Sequence, residues 1–361
     1  MIRKILKLGS LELWNRSVDA MRQRHELTNL FWECTLKCNF SCKHCGSSAG
    51  ESSYPDELTT TEIKKTLLLI AKDFDPHLVF LSVTGGEPLI RSDLFEVMSF
   101  AKKIGFEWGM VSNGFLVDEN SVKKMKESGM SSLVISIDGM DDVHDSFRNK
   151  KGSFSKALSA IRMVAGENFL KELNITSTIH KKNITQLEDM YLTFKNLGIT
   201  SWRLTNIDPI GRAKANMDLM LSGQELKKML QFIWEKRKRS SVEVMYDCSG
   251  FLGHKFEGEV RRSFFMCPTG INIGSILANG DIFVCPNVPR RKELIQGNVR
   301  KDSFKAVWDN KFELFRNKKR TECADCAKCE SWNNCLGNAM HLWDFDENKP
   351  KMCHLKMIEE D

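Results

Sequence analysis

The stretch Cys38-Asn39-Phe40-Ser41-Cys42-Lys43-His44-Cys45 decides how this chain is read. Its spacing puts three thiols on one short loop, one fewer than a tetrahedral structural metal site takes. Three thiolates on a 4Fe–4S cube leave the fourth iron open to a substrate or cofactor. Half of a zinc knuckle, or chance, would give the same spacing, so the rest of the chain has to choose.

Outward from this loop, apolar runs alternate with helical patterns. Short runs rich in β-branched and aromatic residues, bounded by turn signals, predict strands at Leu30–Glu33, Leu78–Val83, Glu107–Val111, Leu133–Ile137, Leu173–Ile179 and Ser201–Leu204. Helices fill the gaps. One starts at Thr59 with Glu62 three residues on, a capping-box pattern; Gly105 closes Asp93–Ile104 and Gly198 closes Thr185–Leu197. Glu119–Glu127, Phe154–Val164 and Gly223–Lys238 supply the others. Such βα units in series predict an α/β fold with a parallel sheet, closed or nearly closed; an open doubly wound sheet is the alternative, because strand order is not written in the sequence. The placement of the unusual residues favours a barrel. The cysteine loop follows the first strand, Thr84-Gly85-Gly86-Glu87-Pro88 the second, Ser112-Asn113-Gly114 the third, and Ser136-Ile137-Asp138-Gly139 closes the fourth. In βα barrels the working face is built at those C-terminal strand ends.

Taken together, these four motifs resemble the core of the radical S-adenosylmethionine (SAM) superfamily. The resemblance implies a partial (β/α)6 barrel over residues 29–240, a 4Fe–4S cluster on Cys38, Cys42 and Cys45, and SAM on its open iron. It further implies that Gly85 and Gly86 let bare backbone approach the SAM ammonium, with Glu87 stabilising that cation or the turn. His44 would lie near the adenine, Ser136 would make a polar contact to SAM, and Arg148 would pair with its carboxylate. Ordinary turns at the glycine motifs and a surface ion pair at Arg148 are the plain alternatives.

Twelve cysteines occur in all, with none between Cys45 and Cys248. The order of Cys267, Gly280, Cys285, Cys326, Cys329, Cys335 and Cys353 resembles the SPASM extension of that superfamily, which carries auxiliary iron–sulfur clusters. Ala339 stands where the extension has a further cysteine, and Cys323 is additional. The resemblance implies that Cys326, Cys329, Cys335 and Cys353 fill one auxiliary 4Fe–4S cluster. Cys267 and Cys285 would hold the other, with Cys323 as substitute and one iron open or bound by His341, Cys248 or Asp247. A rival pairing puts Cys267, Cys285, Cys323 and Cys326 on one cluster and strands the rest, so one or two auxiliary clusters are expected. Structural zinc is the competing reading of such cysteine doublets.

Composition narrows the setting. Net charge is +6, from 53 basic and 47 acidic residues, a mild excess carried by runs such as Lys236–Arg239 and residues 317–320 that read as solvated faces. No basic motif interleaved with aromatics argues for nucleic acid. No stretch approaches the ~20 apolar residues of a membrane span, and the basic start lacks a signal-peptide pattern, which points to the cytoplasm. There cysteines stay reduced and serve as ligands before disulfides. Residues 1–28 read as a helical extension with Ile5, Leu6, Leu8, Leu11 and Trp14 as an irregular stripe packed on the main domain; this is too short for a leader-peptide-binding module. Residues 241–361 form the auxiliary-cluster domain. Cys34, on the first strand, is expected to point into the barrel or its rim and not to bind the cluster.

The resemblance implies reductive cleavage of SAM to methionine and a 5′-deoxyadenosyl radical that takes hydrogen from a substrate. A flavodoxin or ferredoxin would supply the electron. A peptide or protein substrate is the first expectation. Small-molecule chemistry such as a tetrapyrrole side chain is the second, since the run Pro209-Ile210-Gly211-Arg212-Ala213 resembles enzymes of that branch. A non-catalytic metal-binding scaffold is the third. Asp247 is the single candidate for a catalytic side chain.

Overall fold

The computed structural model describes residues 2–50, 56–316 and 323–360, without the side chains of 2–8 and 324–325. The basic run at 317–320 and the side chains of Ile5, Leu6 and Leu8 lie outside the described residues. Strands β1 (Asn29–Thr35), β2 (Phe80–Gly85), β3 (Glu107–Ser112), β4 (Ser132–Ser136), β5 (Glu172–Ile179) and β6 (Ser201–Asn206) fall where the sequence places them and pair in that order, all parallel. β7 (Glu243–Tyr246) continues the sheet beside β6, and β8 (Ile273–Ile276) lies parallel to β1 on the other side. β9 (Asp281–Phe283) and β10 (Gly297–Asn298) then run antiparallel at that edge. The order β10-β9-β8-β1-β2-β3-β4-β5-β6-β7 never returns on itself, so the barrel is partial.

Local sequence explains the crossovers. Helices α1 (Ile2–Arg24), α2 (Thr60–Asp73), α3 (Leu94–Lys103), α4 (Glu119–Glu127), α5 (Asp141–Arg148), α6 (Ser153–Glu167), α7 (Leu187–Phe194) and α8 (Gly223–Arg237) precede or join the strands. Thr59 and Glu62 exchange the two bonds of a capping box at α2, and Ser222 with Glu225 repeats it at α8. Each satisfies backbone donors that would otherwise be orphaned at the helix start. The segment expected as one helix from Thr185 begins as a tighter turn, Ile184–Gln186, before α7.

Strand alternation sorts the side chains. Leu30, Trp32 and Cys34 of β1 are fully buried in the apolar layer under the helices, whereas Asn29 and Phe31 line a cavity of about 470 Å³ inside the barrel with Ser82, Ser132 and Asn174. Cys34 therefore points outward into the helix layer and not into the barrel, because it shares the parity of Trp32. Burial raises its thiol pKa far above the ordinary value. α1 makes its described side-chain bonds outside the helix to the C-terminal region. Trp14 donates from Nε1 to the Phe265 carbonyl (3.3 Å) and Asn15 to Asn334 Oδ1 (2.8 Å), with Leu11 and Val18 buried. The extension is thus fastened to the C-terminal cysteine region through Trp14 and Asn15.

Candidate active site

The cysteine loop leaves β1 at the C-terminal face of the sheet and is tied down from three sides. From β2, the Gly86 and Glu87 amides donate to the carbonyls of Thr35 (2.8 Å) and Lys37 (2.9 Å). A side-chain carbon at Gly85 or Gly86 would stand 2.1 Å from the Thr35 or Lys37 oxygen respectively. Gly85 also sits at φ +134°, a region glycine alone enters readily. These glycines serve the close approach of two backbone segments. From its own far end, the loop is fastened by the Cys38 amide on the Gly50 carbonyl (2.6 Å). The run after β6 completes the clamp: Arg212 donates to the carbonyls of Cys42 (2.8 Å) and Ala49 (2.6 Å), and Asn216 to Lys43 (3.1 Å). Gly211, at φ +54°, lets its backbone lie against Cys45 and Gly46.

Glu87 is fully buried and turns inward. Its Oε1 accepts from Ser112 Oγ (2.9 Å) and Leu89 N (3.2 Å), and its Oε2 accepts from Asn113 N (2.8 Å). It thereby joins the second and third motifs. Burial outweighs these bonds and raises its pKa. Asn113 in turn donates to Asn39 Oδ1 (2.8 Å), inside the cysteine loop.

The fourth motif supplies charge. Asp138 is buried and accepts from Arg148 Nε (2.6 Å) and Thr178 N (2.7 Å). Burial alone would raise its pKa, but Arg148, His44 and His144 hold it down to about 2. Arg148 is buried as well, so it is no surface pair, and its Nη1 faces Cys42 Sγ at 4.0 Å. His44 stacks on Phe147 (4.3 Å between centroids, 5° between planes), and Phe147 stacks on His180 (4.0 Å). Burial lowers His44 to about 3 even though Asp138 Oδ2 lies 3.7 Å from its Nε2, so the ring is neutral. Ser136 is buried at the end of β4.

Between this loop and the C-terminal region lies a cavity of about 250 Å³. His44 and Gly46 line it on one side, Thr176, Thr178 and Thr205 from β5 and β6 below, and Asp247, Cys248 and Asn287 opposite. Asp247 pairs with Arg203 (3.3 Å). Asp208, also on the wall, accepts from His341 Nε2 (2.9 Å), Ser249 Oγ (3.1 Å) and Asn206 Nδ2 (3.0 Å), and its charge raises the His341 pKa against the cost of burial.

The cysteines separate into two further groups. A cavity of about 560 Å³ is walled by Cys326, Cys329, Cys335 and Cys353. Cys323 hydrogen-bonds with Cys326, which also feels the charges of Cys335 and Cys353. Cys267 and Cys285 influence each other elsewhere, with the Met340 amide donating to Cys267 Sγ (3.4 Å), directly after buried Ala339. Among the described residues no three His, Cys, Asp or Glu side chains converge tightly enough for a single metal ion.

The donor set at the first loop fits an iron–sulfur cluster with a further ligand. Burial raises Cys38 to about 11 and Cys42 upward, so their thiolates need a cationic partner. His44 Nδ1 and Asn39 Nδ2 are buried there without a hydrogen-bond partner, polar atoms left for a bound group. Sequence reasoning gave no role to Asn39, Asp138, Arg212 and Asp208. Asp138 and Arg212 carried a signal, since each stands in a motif singled out at a strand end.

Residues 32–193 match the model of the radical SAM superfamily, and residues 267–330 that of an iron–sulfur cluster-binding domain called SPASM. The chain is 29% identical to an AdoMet-dependent heme synthase of Oleidesulfovibrio alaskensis over 85% of its own length and 81% of the relative's. It is 28% identical to the mycofactocin maturase MftC of Mycolicibacterium smegmatis, covering 86% and 77%. Among solved structures it is similar to anSMEcpe with bound AdoMet and Cp18Cys peptide, at TM-score 0.70 and 17% identity over 93% and 95% of the two chains, a likeness of fold. Among the described residues no helix is long and apolar enough to cross a membrane.

Proposed function

The chain belongs to the radical SAM superfamily and carries a SPASM iron–sulfur domain, and from that premise we propose that it takes a hydrogen atom from a peptide or protein side chain presented to the cavity beside His44 and Cys248. A 4Fe–4S cluster on the first cysteine loop would, once reduced by a donor such as flavodoxin or ferredoxin, supply the one-electron chemistry that cleaves bound SAM reductively. Cys38, Cys42 and Cys45 would hold that cluster, on a loop kept rigid by Gly86, Glu87 and Arg212. His44 would offer a neutral, stacked ring to the adenine, and Ser136 a hydroxyl to the same ligand. Gly85 would lend its backbone to the ammonium group. Arg148, anchored through Nε to Asp138, would keep positive charge beside Cys42 and the carboxylate end of SAM.

The observation that carries the substrate class is the polar, charge-compensated wall of the cavity. Asp208 and Asp247 line it with their charges offset by His341 and Arg203, and Thr176, Thr178, Thr205, Asn206 and Asn287 add neutral hydrogen-bonding groups. Such a wall suits the polar groups of a peptide, and none of its lining residues is a lysine or arginine that would pair with a propionate. A tetrapyrrole side chain is the second reading, favoured by the relatives named heme synthases. One experiment separates the two. Anaerobically reconstituted protein, given SAM, dithionite and a fully deuterated peptide digest, is expected to place deuterium in 5′-deoxyadenosine. No deuterium from peptide, together with SAM-dependent loss of carbon dioxide from an iron porphyrin carrying propionates, defeats the peptide reading.

A further inference from the structure

Ala339 removes a ligand from the first auxiliary site, and Cys323, its expected substitute, stands with Cys326 in the other group. The cysteine that does approach Cys267 and Cys285 comes from a different element. Cys248 follows β7, lies exposed on the cavity wall next to Asp247, and lies within reach of the charges of both Cys285 and Cys267. The Cys285 turn reaches the same wall through Asn287, whose Oδ1 would stand 4.0 Å from a carbon added at Gly46 in the first cysteine loop. The Met340 amide bonded to Cys267 shows that the position after Ala339 borders the same group of thiols. β7 thus delivers a thiol to a site from which residue 339 no longer contributes one.

We propose that Cys248, Cys267 and Cys285 form the thiolate set of an iron–sulfur cluster seated on the cavity wall, while Cys326, Cys329, Cys335 and Cys353 hold the distal one. The inference rests on the reading of the C-terminal region as cluster-binding. Cys248 belongs to neither matched motif, and no spacing rule reaches it, since it is supplied by an added strand of the barrel sheet. Three thiolates leave one iron of a cube without a cysteine, and the exposed face of this site is the cavity itself. A donor atom of a substrate held there could then occupy the position.

The test counts iron and sulfide in full-length protein in which Cys38, Cys42 and Cys45 are all alanine, so that SAM chemistry plays no part. That background is expected to hold about eight irons per chain, falling to about four when Cys248→Ala is added and staying at about eight with Cys323→Ala. Cys248→Ser, which keeps an oxygen ligand, is expected to shift the electron paramagnetic resonance spectrum of the reduced protein. Eight irons and an unshifted spectrum in the Cys248 variants overturn the proposal. A background of about four irons that Cys248→Ala leaves unchanged overturns it too, and with it the presence of two auxiliary clusters.

Discussion

Gly86→Ala tests whether the second motif is built to receive the cysteine loop. The new carbon would lie 2.1 Å from the Lys37 carbonyl oxygen, 2.6 Å from its carbon and 3.0 Å from the Leu36 carbonyl carbon. Ordinary carbon–oxygen contact begins near ~3.3 Å, so one backbone must retreat by roughly 1 Å. Neither side has a flexible end to give way. The retreat breaks Gly86 N to Thr35 O and Glu87 N to Lys37 O, at 2.8 and 2.9 Å. Two such bonds are worth ~1 kcal/mol each, and overpacking adds about 1–3 kcal/mol. The total, on the order of 3–5 kcal/mol, is a large share of a typical domain's stability. Anaerobic urea unfolding of the iron-loaded protein should show this loss together with release of iron from the first site. Gly50→Ala, in the same loop with nothing within 4 Å of the added carbon, is the control and should stay within ~0.5 kcal/mol of the parent. A Gly86→Ala protein that unfolds at the parent's urea concentration and keeps its iron refutes the reasoning.

Arg212→Ala removes both carbonyl bonds to Cys42 and Ala49, and should speed chelator-driven iron loss from the first site several-fold while the C-terminal iron stays; equal loss at all sites contradicts the clamp. Cys34→Ser should retain every iron, since the side chain faces the helix layer; iron loss matching that of Cys38→Ser would show it to be a ligand. Burial holds His44 down to about 3 and His144, His180 and His354 to about 4. Their unfolded values lie near ~6.5, so between roughly pH 4 and 6.5 the unfolded chain binds more protons and stability rises with pH. Urea midpoints should therefore fall as pH drops from about 7 to about 5, and a flat profile would remove these histidines from the account.

What the sequence disclosed was local. The β-branched runs of β1 to β6 and the capping box at Thr59 act within a few residues, and each reappears in the structure. The register of the four motifs at the strand ends follows from those elements alone. Long-range pairings were out of reach. Nothing near Arg148 announces that Asp138 takes its Nε, or near Arg212 that the carbonyls of Cys42 and Ala49 await it. Cys34 was misdirected because its orientation depends on strand parity, which Trp32 and Leu30 would have disclosed. The attachment of α1 to the C-terminal region through Trp14 and Asn15 likewise joins residues more than two hundred positions apart. Cys248 stands beside His341 and Asp247 as an unranked candidate in the sequence, because no spacing motif reaches it; the addition of β7 to the sheet is what brings it toward Cys285.

The most direct test of the central claim is 5′-deoxyadenosine formation. Protein reconstituted anaerobically with iron and sulfide, then given SAM and dithionite, should release 5′-deoxyadenosine and methionine. The variant with Cys38, Cys42 and Cys45 all changed to alanine should release neither while keeping its C-terminal iron. Measurable SAM cleavage by that variant, or none by the loaded parent protein, would contradict the assignment of this loop as the seat of the chemistry.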